Sequence, residues 1–344
     1  MFIADVTSIL LVTDHNTFVD LETSRHALTK LLIHPELNPA GGVAMFHSFR
    51  FQATAVLLMA GFICPYFAPA EPLVIGSIHH EVTSEIKKFL PLADYLGKHL
   101  QSEEVNEAKI VVAKDVFQMG TLLQKRKVDI YIDSFFPSVA ANLLSGSKFL
   151  LRRWKRGRPE YRSVIYHKKD SNLHQVESLK GHILAFEEPF STSGYFIPKI
   201  ALVQAGLKLT PKPDAAKSTD PQEIGYVFSL DDENTVAWVL AGKVSAGATD
   251  DYTYQRQTHR YPNSLKAIHT TSSFPRHLVS HRADLAPKLV TKIKAILIQM
   301  DQSEEGRRAL KDFERTTMFD ELPSASTAQL LNVRKFVEAE LRLR

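Results

Sequence analysis

Cysteine is almost missing. One occurs in 344 residues, Cys64, which excludes a disulfide scaffold and a thiolate metal centre. Long apolar runs are missing too. The longest, Ala53 to Cys64, falls well short of the ~20 residues a spanning helix needs. Neither sign of charge dominates: 42 Lys and Arg face 38 Asp and Glu, a formal +4. That is too weak and too dispersed to mark a nucleic-acid surface. Low-complexity tracts and solenoid repeats are absent. What remains is ordinary globular composition, 44% hydrophobic and 23% charged, in a chain long enough for two domains.

The first seventy residues stand apart. From Met45 the chain reads "MFHSFRFQATAVLLMAGFICPYFAPAEP". A mildly basic start with His47 and Arg50 leads into the apolar run, then Ala68-Pro69-Ala70 supplies small residues two apart. This is the three-part layout of a secretory signal peptide, so residues 45–70 are expected to be a leader and the protein to be exported. Phe62 and Ile63 precede Cys64 where a lipid-attachment site wants small residues. Residues 1–44 carry no domain-sized pattern and read as a non-native or disordered extension.

Beyond residue 70, strand-like apolar runs alternate with amphipathic stretches. "EPLVIGSIHH" is followed by "TSEIKKFLPLADYLGKHL", with Ile86, Phe89, Leu92, Leu96 and Leu100 at helical spacing. "AKIVVAKD", "VDIYIDSFFP", "LKGHILAFEEP", "IGYVFSL" and "VSAGATDD" read as further strands, each nearly continuous in apolar residues, as sheets covered on both faces require. "YRSVIYHKKD" and "LKAIHTTSSFPRHLVSHR" read as segments that cross between lobes. The expectation is an α/β protein of two lobes, each a mostly parallel sheet flanked by helices, with two hinge crossings. Lobe 1 takes residues 71–163 and 258–344, and lobe 2 takes 164–257. The basic stretch "LRRWKRGRPEYR" at 151–162 reads as a solvated surface segment.

The motif that asks for chemistry is "FEEPFSTSGYFIPKIAL" at 186–202. A strand ends, three hydroxyls follow (Ser191, Thr192, Ser193), then Gly194 and an amphipathic helix. A helix start carries unpaired N–H groups and the positive end of the macrodipole, and hydroxyls beside it suit a tetrahedral oxyanion. The bland alternative is a helix cap. Together with "ENTVAWVLAGKVSAGATDD" and the upstream "FLPLADYLGKHL", this motif resembles the phosphate/phosphite/phosphonate-binding proteins of ABC importers.

That resemblance covers residues 71–300 and implies a type II periplasmic binding protein, a non-catalytic receptor in the periplasm. Its partners would be a small anionic, phosphonate-like ligand and an ABC permease in the inner membrane, with no nucleic acid and no cofactor. A sensor coupled to a membrane histidine kinase is the alternative. Ser191, Thr192 and Ser193 would hold the phosphoryl head. The resemblance places Asp250 where it can face a ligand amino group, against its other reading as a helix cap before "YTYQRQ". From lobe 1, Ser77 and His79 after the first strand, and Asp133 and Ser134 after the third, are expected in the cleft. "HHE" at 79–81 cannot aim enough ligands at one metal ion. A hydrolase is disfavoured because "STSG" lacks the G-x-S-x-G elbow. The chain departs from the family in reading "IDSFFPS" where a tyrosine is usual, and "FSLDDEN" where a Gly-Ser-His element is usual. Asp231, Asp232 and Glu233 there make an acidic mouth.

Overall fold

Strand β1 (Glu71–Ile78) is buried along most of its length, and helix α1 (Val82–Leu100) turns Phe89, Leu92, Ala93, Leu96 and Leu100 onto it. The computed structural model describes residues 71–101 and 105–342. The expected leader at 45–70 and the extension at 1–44 lie outside the described residues. After α1 come β2 (Val105–Ala113), α2 (Val116–Gln124), β3 (Ile130–Ser134) and α3 (Phe135–Ser145). Helix α2 is capped by Asp115, which accepts from the Gln118 N–H, and α3 stops at Gly146 in the left-handed region at φ 72°. Strand β4 (Lys148–Lys155) then leads to the short β5 (Glu160–Tyr161).

The chain now enters a second sheet. Its elements are β6 (Ser163–Lys168), β7 (Ile183–Phe186), α4 (Ile197–Gln204), β8 (Lys208–Pro211), β9 (Glu223–Phe228), α5 (Asp232–Leu240), β10 (Ala246–Asp250), α6 (Asp251–Arg260) and β11 (Leu265–Thr270). It returns through β12 (Phe274–Pro275) to β13 (His277–His281), then α7 (Pro287–Gln299), α8 (Glu304–Asp312), β14 (Thr316–Asp320) and α9 (Ser324–Arg342). The strand orders are β14-β4-β13-β3-β1-β2 and β11-β6-β10-β7-β9-β8. The two crossings pair with each other, Phe274 opposite Tyr161 and Pro275 opposite Glu160.

The two-lobed α/β architecture is the one the alternation implied, with two refinements. Both sheets are mixed. Strands β1, β2 and β3 are parallel, as are β7 to β10, but β4, β6, β11, β13 and β14 run antiparallel to their neighbours. Each crossing delivers its strand at the cleft side, where the parallel strands end, with Ser163 opposite Asp250 and His277 opposite Ser134, which forces the opposite direction. The second crossing also falls later than residue 258. Strand β11 pairs with β6 in the second sheet, so the chain leaves that sheet only after Thr270.

The basic stretch at 151–162 is not a solvated segment. It contains most of β4, and Arg153 is 1% exposed. The Arg153 guanidinium lies 3.7 Å from the Phe313 ring centre and donates to Thr316 Oγ1, the Phe313 carbonyl and Glu314. Arg152 is buried against Asp320 in a two-pronged pair. Alternation of basic and apolar residues hides a strand when the basic ends are themselves paired indoors.

Helix α9 straps the two lobes. Leu330 and Val337 join the core that contains Phe135 and Phe136 of lobe 1, while Gln329 donates to the Ser273 carbonyl at the crossing. At its far end Glu340 meets lobe 2, accepting from Tyr195 Oη at 2.5 Å and Lys199 Nζ at 2.7 Å. Removing the carboxylate takes the balancing charge from a buried ammonium, which keeps only its hydrogen bond to Tyr195 Oη at 2.7 Å. Glu340→Ala should therefore lower unfolding free energy by about 2–3 kcal/mol, read by urea titration. Tyr195→Phe, which removes one hydroxyl and strands nothing charged, should cost clearly less.

Candidate functional site

In open α/β sheets the ligand crevice lies beyond the carboxyl ends of strands, where neighbouring strands lead off in opposite directions. Lobe 1 has that point between β1 and β3, and lobe 2 between β7 and β10. The residues just past those ends are Ser77 and His79, Asp133 and Ser134, the 187–193 segment, and Asp250. All eight residues expected from sequence (Ser77, His79, Asp133, Ser134, Ser191, Thr192, Ser193 and Asp250) line one cavity of about 240 Å³ between the lobes.

The hydroxyl row sits on a wide turn rather than directly on an α-helix. Residues Thr192–Phe196 form a π-type turn closed by Phe196 N–H to the Ser191 carbonyl at 3.0 Å, and α4 begins only at Ile197. Ser191 Oγ caps this turn, accepting from Gly194 N–H at 2.9 Å, and donates to Glu187 Oε2 at 2.6 Å. Gly194 is required by space. A Cβ there would meet Glu187 Cβ at 2.6 Å and Ser191 Oγ at 2.8 Å. The group packed against Gly194 is the Glu187 side chain.

Thr192 reaches across the gap. Its Oγ1 accepts from the Phe136 N–H and donates to Ser134 Oγ, both at 2.9 Å. Ser134 occupies the cap position of α3 without making a side-chain cap bond, so a threonine of lobe 2 satisfies the helix start of lobe 1. Ser193 turns its carbonyl to Ser163 Oγ at 2.6 Å. Tyr161, on the crossing, places its hydroxyl beside Thr192 and Ser193.

In lobe 1, Ser77 donates to Glu85 Oε1, and His79 accepts the Glu81 N–H on Nδ1 and stacks on His80. Asp133 accepts from Tyr131 Oη and the Ser134 N–H. Asp250 is a helix cap. Its Oδ1 accepts from Tyr252 N–H and Thr253 N–H, and its Oδ2 from Thr253 Oγ1. Among the described residues no cluster of three or more His, Cys, Asp or Glu is placed to hold a metal ion.

Charge in the cavity is segregated. The hinge side carries Arg153, Lys155, Arg276 and His277, with Glu314 bonded to both Arg153 and Lys155. Burial opposes ionisation of Glu314, but the Lys155 and Arg153 charges win and hold it well below the carboxylate range. Burial, with the cations beside it, keeps His277 neutral. Acidic side chains from both lobes line the rest of the cavity. Burial pushes Asp133 and Glu187 up to about 7, and nearby carboxylates push the same way. Glu188 is also raised to about 7, by burial and then by Asp133, but its side chain is 42% exposed and water screens it. Burial and the charges of Glu187 and Asp250 raise Asp232 further.

Several site residues left no mark in the sequence. Arg276 and His277 sit in a crossing segment, Arg153 and Lys155 in what resembled a surface stretch, and Tyr161 in a two-residue strand. Glu187 and Glu188 were visible inside "FEEP", but nothing in their spacing said which way they point.

A family model described as "ABC transporter, phosphonate, periplasmic substrate-binding protein" matches residues 75–325. A curated relative, a probable ABC transporter phosphite binding protein of Prochlorococcus marinus, is 20% identical over 86% of this chain and 94% of its own length. Among solved structures, a Xanthomonas citri protein bound to chloride superposes with a TM-score of 0.75 at 24% identity, covering 79% of this chain and 99% of that one. A P. marinus structure in complex with methylphosphonate gives 0.60 at 20% identity over 78% and 99%. At these identities the structural likeness speaks for the fold.

The raised carboxylates make the empty protein sensitive to pH. Between about pH 4 and 7 the folded state binds more protons at Asp133 and Glu187 than the unfolded chain does, so their contribution to stability falls as pH rises through that window and levels off above it. His277, held neutral by burial, contributes in the opposite sense, so the carboxylate effect is read as a difference. The thermal midpoint of Glu187→Gln should rise relative to wild type from pH 5 to pH 8, and a gap that stays constant or shrinks would contradict a buried Glu187.

Proposed function

The chain belongs to the phosphonate-binding family of periplasmic substrate-binding proteins of ABC transporters, and we propose that it captures a small phosphoryl oxyanion between its lobes. Phosphonate, phosphite and phosphate are the ligands in view, for delivery to a membrane permease after export. The family binds solutes and does not transform them. The observation that carries the reading is the meeting of Ser191, Thr192 and Ser193 with the carboxyl ends of β1 and β3 in one cavity. The phosphite relative and the methylphosphonate complex support the same ligand class.

The geometry also says how the hydroxyls become available. Ser191 donates its O–H to Glu187 Oε2. When Glu187 is protonated the bond reverses: the carboxyl donates to Ser191 Oγ, and Ser191 turns its own proton to the ligand. Binding an anion beside Glu187 therefore favours the neutral carboxyl, whose pKa of about 7 makes the exchange inexpensive at neutral pH. Thr192 would make a similar exchange of Ser134 for a ligand oxygen. Lobe closure excludes water and strengthens each of these bonds.

Isothermal titration with phosphate, phosphite and methylphosphonate tests the reading. Ser191→Ala and Thr192→Ala should each weaken binding by about 10- to 100-fold, as loss of a hydrogen bond to a charged group does. Wild-type affinity should fall as pH rises above 7. Glu187→Gln, which is always a donor to Ser191, should remove the part of that fall which the ligand's own titration does not supply. Silence of the wild type across the panel would defeat the proposal.

A further inference from the structure

Arg276 is the buried cation whose hydrogen bonds are unmade. It lies between β12 and β13, with its backbone N–H held by the Pro159 carbonyl at 2.9 Å, so both crossings fix its position. Its side chain is 7% exposed and lines the interlobe cavity. The guanidinium lies over the Tyr161 ring, 4.7 Å from its centre. Among the described residues, neither Nε nor Nη1 finds an acceptor.

The nearest carboxylate oxygen explains little of this placement. Asp250 Oδ1 stands 3.7 Å from Nη1, beyond hydrogen-bond reach. Both Asp250 oxygens are already taken by the first turn of α6. Asp250 therefore offers the guanidinium a compensating charge at a distance and no directed bond. A guanidinium cannot escape by losing its proton, and a buried donor left unpaired is costly. The same charge bears on the amino-group role that resemblance suggested for Asp250, because an ammonium arriving there would face Arg276.

We propose that Arg276 is a direct ligand of the bound oxyanion, donating Nε–H and Nη2–H, the two groups that point the same way on the edge away from Asp250, to two of its oxygens from the hinge. The idea rests on the oxyanion reading above and adds to it the group that supplies full positive charge. The ring under the guanidinium belongs to Tyr161, whose hydroxyl borders Thr192 and Ser193, so the fork and the hydroxyl row open onto the same space. A planar fork suits two oxygens of one tetrahedral or trigonal anion. It only donates, so it favours deprotonated oxygens and discriminates against uncharged ligands of the same size. Sitting on the crossing, it is in place whether the lobes are open or closed, and anion capture begins at the hinge.

The test is titration of inorganic phosphate and methylphosphonate into wild type, Arg276→Gln, Arg276→Lys and Ser191→Ala. Arg276→Gln should weaken binding by about 100-fold, and Arg276→Lys, which keeps charge but loses the fork, by about 10-fold. Arg276→Gln binding like wild type, while Ser191→Ala is weakened, overturns the arginine and leaves the oxyanion site standing. Wild type binding nothing overturns both. A readout that does not depend on a variant folding is the Nε–H resonance in ¹⁵N-labelled wild type, assigned by its absence from Arg276→Lys or, if that variant does not fold, by contact with ring protons of Tyr161. Added phosphate should shift it and slow its exchange with water, and an unmoved resonance at saturation overturns the proposal.

Discussion

One pair of hydrogen bonds organises the molecule: Thr192 of lobe 2 accepting from the Phe136 N–H and donating to Ser134 in lobe 1. A helix start has N–H groups that its own turns cannot satisfy. Helix α2 meets that need locally with Asp115, α5 with Asp231 and α6 with Asp250. Helix α3 does not, although a serine stands in the cap position. Its second N–H is satisfied from the other lobe. Opening the cleft hands that N–H to water and closing it restores the bond, so the two states differ little in hydrogen-bond count. That near balance is what a ligand-gated clamp requires, since a ligand can shift an equilibrium only by its differential affinity for the two states.

Charge explains why closure needs a guest of the right kind. The cavity gathers carboxylates from both lobes and, beside the hinge, guanidinium and ammonium groups. The carboxylates relieve themselves by taking up protons near neutrality, as the raised positions of Asp133 and Glu187 show. The basic groups have no such exit, because arginine stays charged. Glu314 balances Arg153 and Lys155, whereas Asp250 faces Arg276 without bonding to it. The residual field is therefore positive at the hinge. On the proposed reading an anion would settle there, within reach of the hydroxyl row.

The parts of the site that were legible in sequence were those where chain chemistry and position coincide. A continuous apolar run ending in polar residues marks a strand end, and in this topology strand ends are the crevice, so Ser77, Asp133, Ser134 and the 191–193 row could be found without coordinates. Asp250 was legible as a residue of the cavity wall, but its cap role and its ligand role had the same sequence signature. Helix α3 was hidden because "FFPSVAANLLS" begins with the aromatics and proline of an apparent turn. Strand β4 was hidden because its arginines are buried with partners more than 150 residues away, Thr316, Glu314 and Asp320. No local pattern carries information about such a partner. Arg276 was hidden for the same reason, since a lone arginine in "FPRHL" looks the same whether it faces solvent or a cavity.

Helix α9 adds a constraint that two crossings alone would not impose. Helix α9 packs on α3 of lobe 1, Leu330 and Val337 lie in a core that draws on both lobes, and Glu340 is bonded to Tyr195 and Lys199 of lobe 2. Tyr195 belongs to the same wide turn as Thr192. Any opening that separated α9 from lobe 2 would expose a carboxylate and an ammonium that are now paired, and would pull on the turn that carries the hydroxyls. Motion that keeps the triad intact must pivot close to it, with the cavity mouth moving further than the hinge wall. Arg276 and Tyr161, on the crossings, then move least and Glu188, which faces His80 across the gap at 4.0 Å, moves more. The hinge cation and the ring beneath it are thus held on the stationary side of the clamp, and the mouth, where Glu188 sits, travels further.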